Sequence, residues 1–274
     1  MPKRLSQDQV NHFRDKGYLS PLTAMSPERA GECRAALEAF ERETGMSACQ
    51  DLQLKAHCYF RWSYELSRSP EITEVAQDLL GEDVLVFASR FWIKEPRDNK
   101  MVSWHQDMAY FGIDPQMMIT FWIGLTAATP ENGVMNMIPG THHKLHEHVE
   151  TFDANNLLTR GQSVPNVDER DAVQTTLLPG QFSIHHGNLL HNSPSNVSDD
   201  RRIGMTLMLM PAHVRSTIGR RSATLLCGTD KYGYWDLDPE PVGDRDPAYL
   251  KIMRDSYKGY VERDIAQAAS QRTT

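Results

Sequence analysis

The chain has 274 residues, with 29 Lys plus Arg against 36 Asp plus Glu and a formal charge of −7, and no basic block interrupts that balance. Such a charge pattern argues against nucleic acid or an anionic membrane as partner and leaves a small molecule as the expected ligand. No window approaches the ~18 apolar residues of a membrane helix, and "MPKRLSQDQV" offers no apolar run for a signal peptide, so a soluble, cytoplasmic protein is expected.

A chain of this length can bury one β-rich core under a helical cover, and we read 1–274 as a single domain. Residues 1–82 read as a mainly helical layer. Ser6 and Gln9 form a capping-box pattern ahead of Val10 and Phe13, with Gly17 as a stop. Ser26, Pro27 and Gly45 bracket a second helix in the same way. From Asp83 to about residue 213 the pattern changes to short runs rich in β-branched and aromatic residues, such as "VLVFASRFWIKE", "MITFWIGLTAAT" and "RRIGMTLMLMP". Asn132-Gly133 suggests a tight hairpin and Pro179-Gly180 another turn, so several antiparallel strands are expected to close as a sandwich or barrel. Residues 214–274 read as a closing loop, "CGTDKYGYWDLDPEP", and a C-terminal helix devoted to packing. Cys33, Cys49, Cys58 and Cys227 lack CxxC spacing and are expected as separate thiols.

"MVSWHQDMAYFG" puts His105 and Asp107 two apart. On a strand that spacing aims both side chains into one space, with Trp104 and Gln106 facing away. An imidazole and a carboxylate make two thirds of the two-histidine, one-carboxylate set that holds Fe(II) with positions left open. The remaining histidine is sought in "HHGNLLHNSPSN", where His191 directly precedes a turn and is preferred to His185 and His186, which read as barrel or supporting residues. On the strand that follows, Arg202, Gly204, Thr206, Met208 and Met210 share one face, while Ile203, Met205, Leu207 and Leu209 make the other apolar. A guanidinium at Arg202 with the Ser193 hydroxyl can grip a carboxylate, so 2-oxoglutarate can bridge metal and arginine.

Taken in order, "FWIKEP", "WHQD", "TPENGVMNMIPGTHH" and "LLHNSPSNVSDDRR" resemble the phytanoyl-CoA dioxygenase family of Fe(II)- and 2-oxoglutarate-dependent oxygenases, from the helical start to about residue 213. The resemblance implies His105, Asp107 and His191 as iron ligands, and Arg202 and Ser193 on the co-substrate. It also implies Trp122, in "FWIGL", beside that co-substrate. The implied fold is a double-stranded β-helix, a cupin-like jelly-roll barrel with helices outside. The implied cofactors are Fe(II), 2-oxoglutarate and O2, and the implied reaction is hydroxylation with release of succinate and CO2. Halogenating relatives have a small residue in place of the aspartate, so Asp107 favours hydroxylation.

Arg90, Trp92 and Lys94 share a strand face beside the implied co-substrate pocket, which suggests a small anionic or zwitterionic substrate, a phosphonate or amino-acid-like compound, in preference to a long acyl-CoA. Tyr110 is the further candidate for substrate contact. Two other classes compete: a cupin-like binding or sensor barrel without turnover, and a Zn(II)-dependent hydrolase on the same ligands, which leaves Arg202 without a purpose. The group His142, His143, His146 and His148 reads as a solvated loop.

Overall fold

In the computed structural model, residues 2–271 are described apart from Tyr110, with side chains as far as Glu262. The first helices form where their caps require. Ser6 accepts from the Gln9 amide at 3.1 Å, the Gln9 side chain accepts from the Ser6 amide at 2.8 Å, and Gly17 ends helix Gln7–Lys16 at φ 81°. Ser26 caps helix Pro27–Thr44, which stops at Gly45 with φ 68°. Glycine is used at both ends because a Cβ disfavours the left-handed backbone. Helices Arg61–Ser67 and Pro70–Leu80 complete the layer.

The β structure divides into two main sheets. The larger has seven strands in the order Tyr18–Thr23, Gln181–His186, Ile119–Gly124, Arg202–Pro211, Val84–Lys94, Ser222–Cys227 and Asp236–Leu237, antiparallel except for the last pair. The smaller orders Val102–His105, His191–Ser193, Asn136–Met137 and Val173–Gln174. Strand Arg202–Pro211 shows why the helices lie where they do. Its Ile203, Met205, Leu207 and Leu209 are fully buried in one cluster with Leu37, Phe40, Ile72 and Phe91, between sheet and helices. Each such side chain contributes about 1.5–3 kcal/mol by leaving water. The alternate residues Arg202, Thr206 and Met208 line a cavity on the opposite face. Among the described residues, no helix is long and apolar enough to cross a membrane.

Three expectations are corrected. The helical layer contains an edge strand, Tyr18–Thr23, hidden in the sequence by Pro21 and tolerated there because a sheet edge needs no inner ladder hydrogen bond. Asn132-Gly133 is no hairpin: a short turn at Pro130–Asn132 carries the chain from the larger sheet to the smaller one. Gly133 is required because a Cβ there would fall 2.2 Å from the Pro194 carbonyl oxygen. The larger sheet also continues past residue 213 through Ser222–Cys227, which pairs with Val84–Lys94.

The segment after Cys227 is anchored at two points. Trp235 is 2% exposed and donates to the Val214 carbonyl at 2.7 Å. Asp238 makes a fully buried ion pair with Lys55 at 2.7 Å and accepts from the Thr224 hydroxyl at 2.7 Å. These anchors lead into helix Pro247–Gln271.

Candidate active site

His105 and His191 are direct partners across two antiparallel strands of the smaller sheet, and their ring centroids lie 4.1 Å apart. The Nδ1 of His105 stands 2.9 Å from the Ser103 carbonyl and the Nδ1 of His191 stands 2.9 Å from the Leu189 carbonyl. A carbonyl only accepts, so both Nδ1 atoms carry hydrogen, and Nε2 is the nitrogen each ring can offer a metal. Burial, and then the neighbouring His105 and His185 rings, hold His191 neutral, well below the ordinary histidine range. Neutral imidazoles with a fixed tautomer are what a metal requires.

Asp107 does not share the strand with His105. The strand ends at His105, Gln106 turns away to bond the Lys144 carbonyl at 2.7 Å, and Asp107 opens a short turn, Asp107–Ala109. The carboxylate nevertheless reaches the same space. Its Oδ1 is 3.5 Å from His105 Nε2 and 3.9 Å from His191 Nε2, while Oδ2 accepts from the Thr120 hydroxyl at 2.9 Å. Burial works against the charged carboxylate, but contacts with His105 and His185 prevail and hold its pKa well below the usual range. Among the described residues, His105, Asp107 and His191 are the one group of His, Cys, Asp or Glu whose donor atoms all lie within 4.8 Å of one another. His142, His143, His146 and His148 make no such group.

At the other end of this inner cavity Arg202 lines the wall, and Lys94 is buried beyond that lining. Arg202, 2% exposed, donates to the Ser193 hydroxyl at 2.8 Å and to the Gly133 carbonyl, and its guanidinium lies 5.1 Å over the Trp122 ring. Lys94, fully buried, donates to Ser193 Oγ at 2.6 Å and to the carbonyls of Ser193 and Pro194. Ser193 passes its own proton to the Gly133 carbonyl at 2.7 Å and so accepts from both cations. Gly204 makes room for Trp122, since a Cβ there would come within 2.1 Å of the indole. Burial lowers Arg202 to about 10, and burial, then repulsion from Arg202, lowers Lys94 to about 6. Among the described residues neither cation is paired with a carboxylate, and the Nε of Arg202 has no hydrogen-bond partner. A buried guanidinium without a counterion is expensive, and Arg202 is therefore free to answer an anion that enters this end of the cavity.

An outer cavity adjoins the inner one through Trp92, His105, Asp107 and Met208. Arg90 lines it, stacked 4.0 Å over the Trp92 ring, with Nε buried and unpartnered. Lys94 was expected beside Arg90 against the substrate, but the structure separates the two: Lys94 stands across from Arg202 in the sheet register and Arg90 across from Thr206. Tyr110, the other expected substrate contact, lies outside the described residues. Several lining residues escaped the sequence reading. Gln53, Leu54 and Phe111 come from loops, and Tyr257 and Tyr260 come from the C-terminal helix, which was expected only to pack. Inside, Thr120 was missed, because its contact with Asp107 depends on where two distant segments meet.

Comparison with known proteins matches this geometry to a family. The phytanoyl-CoA dioxygenase (PhyH) family model matches residues 4–204. The chain belongs to this family. It is an enzyme family whose chemistry rests on Fe(II), 2-oxoglutarate and O2. A probable alpha-ketoglutarate-dependent hypophosphite dioxygenase of Stutzerimonas stutzeri is 31% identical over 149 residues, 53% of this chain and 52% of that protein. A phytanoyl-CoA dioxygenase of Arabidopsis thaliana is 29% identical over 144 residues, 52% of this chain and 50% of that protein. The chain thus spans about half the length of these curated relatives. Among solved structures, the apo form of the non-heme monooxygenase ThoJ superposes with a TM-score of 0.83 at 27% identity, covering 96% of this chain and all of that one. CytC3 with Fe(II) and alpha-ketoglutarate shares the fold, with a TM-score of 0.66 at 20% identity over 88% of this chain and 98% of that one.

The residues present fit the family's metal and co-substrate. Two imidazoles whose Nδ1 atoms are held by carbonyls and one carboxylate suit Fe(II), and Arg202, without a carboxylate partner among the described residues, suits the far carboxylate of a keto diacid.

Proposed function

We propose that the chain is an Fe(II)- and 2-oxoglutarate-dependent hydroxylase of a small anionic organic substrate, its two facing sheets forming the double-stranded β-helix of such enzymes. The observation that carries this reading is the pairing, in one cavity, of a two-histidine, one-aspartate donor set with a buried guanidinium, Arg202, whose Nε has no partner among the described residues. In this reading His105, Asp107 and His191 hold the iron. Arg202 holds the distal carboxylate of 2-oxoglutarate, Lys94 steadies Ser193 beside it, and Trp122 walls it.

When bound at His105, Asp107 and His191, iron with the keto acid would supply the O2 chemistry that couples decarboxylation of 2-oxoglutarate to succinate and CO2 with hydroxylation of a substrate C–H bond. The protein's own share is placement and exclusion of water. The Ser103 and Leu189 carbonyls fix both imidazole tautomers, and Thr120 holds the outer oxygen of Asp107. Asp107 occupies the carboxylate position, which favours hydroxylation over halogenation.

Support for an anionic substrate comes from Arg90. Its guanidinium is held flat by Trp92 at the outer cavity, with an unpartnered Nε, which is the arrangement that recognises a carboxylate, phosphonate or other oxyanion. The relative from Stutzerimonas stutzeri carries a small phosphorus oxyanion in its name, which supports the same class. The test is a panel of small carboxylates, amino acids, phosphonates and inorganic phosphorus oxyanions, screened for stimulation of succinate release by the anaerobically reconstituted protein. At least one such anion should stimulate release several-fold over the substrate-free rate. Stimulation by acyl-CoA thioesters or neutral lipophiles alone would sink the substrate assignment.

A further inference from the structure

His185 has no part in the assignments above, yet it is placed at the centre of the site. It lies on strand Gln181–His186, directly across from Thr120 in the sheet register. It is 1% exposed, lines the inner cavity, and its ring centroid is 4.3 Å from that of His191. Neither ring nitrogen has a hydrogen-bond partner. Its Nε2 stands 3.4 Å from Asp107 Oδ2, the oxygen that already accepts from Thr120.

A buried imidazole with two unanswered nitrogens is unfavourable, and an apolar side chain would fill the same space without that penalty. The polar ring is explained if the loaded site gives it a partner. The two oxygens of Asp107 face different groups: Oδ1 faces the two histidines, and Oδ2 faces Thr120 and His185. Donors from two neighbouring strands therefore converge at one register position on the oxygen turned away from the ligand histidines.

We infer that His185 is a positioning residue, whose ring N–H, together with the Thr120 hydroxyl, holds Oδ2 of Asp107 so that Oδ1 alone serves the metal. A carboxylate held at its outer oxygen cannot swing to bind through both, and a coordination position stays open for substrates. His185 thus acts through Asp107 and touches neither co-substrate nor substrate. The inference rests on the metal reading of His105, Asp107 and His191.

Anaerobic titration of the full chain with Co(II), followed by its visible ligand-field bands, separates the two ideas. In the unmodified protein, His105→Ala should abolish binding, and if it does not, the metal reading itself falls. Given that control, His185→Leu should weaken Co(II) binding about 10- to 100-fold, as loss of a partner behind a metal ligand typically does. It should also change the band pattern as the carboxylate becomes free to bind through both oxygens. His185→Gln, whose amide N–H can reach the same oxygen, should recover most of the affinity and the original bands. Should the leucine variant not fold, His185→Asn, too short to reach Oδ2, carries the same expectation. Unchanged affinity and bands in the variant lacking the donor would overturn the inference. So would pulsed EPR of the Cu(II)-loaded unmodified protein showing three bound imidazole nitrogens instead of two, since His185 would then be a ligand.

Discussion

The inner and outer cavities share a wall but are built on different principles. The inner one takes most of its polar groups from strands locked by register, with His105 across from His191, Thr120 across from His185 and Arg202 on the strand beside Thr120, and adds Asp107 from the turn that follows His105. The outer one draws Gln53 and Leu54, Phe111, Leu158 and Thr159, and Tyr257 and Tyr260 from four separate stretches of chain around a single strand cation, Arg90. A register cannot slip by one residue without exposing an apolar face, so the inner arrangement is rigid and tolerates little change. Loops and a terminal helix can vary without unfolding the sheets. On the proposed reading, the sheets and the Asp107 turn hold the reaction class, and the parts added around them choose the substrate.

The sharpest test of that division lies at the metal. His105→Ala, Asp107→Ala and His191→Ala should each abolish Fe(II) binding at a single site per chain and lower substrate-dependent succinate formation by at least about a thousandfold, the scale of losing an essential group. His143→Ala should leave both unchanged. Equilibrium dialysis of Fe(II) under anaerobic conditions reads the binding directly, and retained iron in the His191 variant would move the distal ligand elsewhere.

One residue along, the contrast between Arg202 and Arg201 tests the strand face. Arg201 points to the helical side, bridging Glu41 at 2.9 Å and Glu95 at 2.8 Å. Arg202→Ala should raise the concentration of 2-oxoglutarate needed for half-saturation about 30-fold or more, corresponding to roughly 2–5 kcal/mol for a buried charge-assisted contact. Arg201→Ala should change it less than about threefold, as expected of a partly exposed ion pair. The absorbance of the Fe(II)–keto acid complex reports both, and equal effects would contradict the face assignment.

Lys94 sharpens the same end of the cavity through pH. With its pKa lowered to about 6 in the free protein, it is mostly neutral at pH 7 to 8. A carboxylate bound to Arg202 offsets the repulsion that helps to lower Lys94 and so favours the ammonium, and 2-oxoglutarate binding should take up a proton over that range. Affinity is then greatest below about pH 6 and falls as pH rises through the free-state value. Folding follows the same sign logic. The unfolded chain binds more protons than the folded one between about 6 and the ordinary lysine value of 10.5, so the stability of the ligand-free protein rises with pH across that window. Lys94→Met should flatten both trends. Calorimetry in buffers of different ionisation enthalpy measures the proton uptake, and none at pH 7.5 would show that Lys94 stays charged in the free protein.

These residues also show which parts of the site could be read in advance. Arg202 was separable from Arg201 because the 202–211 strand alternates apolar and polar without a break over the part that faces the cavity, and only one phase buries the apolar half. His191 was marked by the turn signals that follow it. Asp107 was chosen by a strand argument that does not apply to it, because the strand ends at His105 and a short turn delivers the carboxylate. The positions of Thr120 and His185 against Asp107 depend on the pairing of strands with no local signature for each other. Lys94 was expected against the substrate beside Arg90, whereas its contact with Ser193 beyond the cavity lining follows from the pairing of distant strands, a long-range fact. The C-terminal helix carries a charged outer surface, so Tyr257 and Tyr260 looked like ordinary packing residues.

The smallest effects are expected in the outer cavity, and they decide whether that wall selects the substrate. Arg90→Gln removes the guanidinium while leaving a side chain of similar reach over Trp92. An exposed or half-buried charge-assisted contact contributes roughly 1–2 kcal/mol, so the KM for an anionic substrate should rise about tenfold. The slow substrate-free conversion of 2-oxoglutarate should not change, because no residue of the inner cavity is altered. Tyr257→Leu keeps the wall apolar and removes only the ring and its hydroxyl, so a two- to fivefold change, under about 1 kcal/mol, is expected. Its direction should depend on the substrate: bulkier anions should gain relative to small ones as the wall recedes. Comparing kcat/KM for a small and a larger anion in both variants measures this. If Arg90→Gln lowered kcat and substrate-free turnover together with affinity, the outer cation would belong to the machinery of the inner cavity, and the division drawn between the two would fail at that residue.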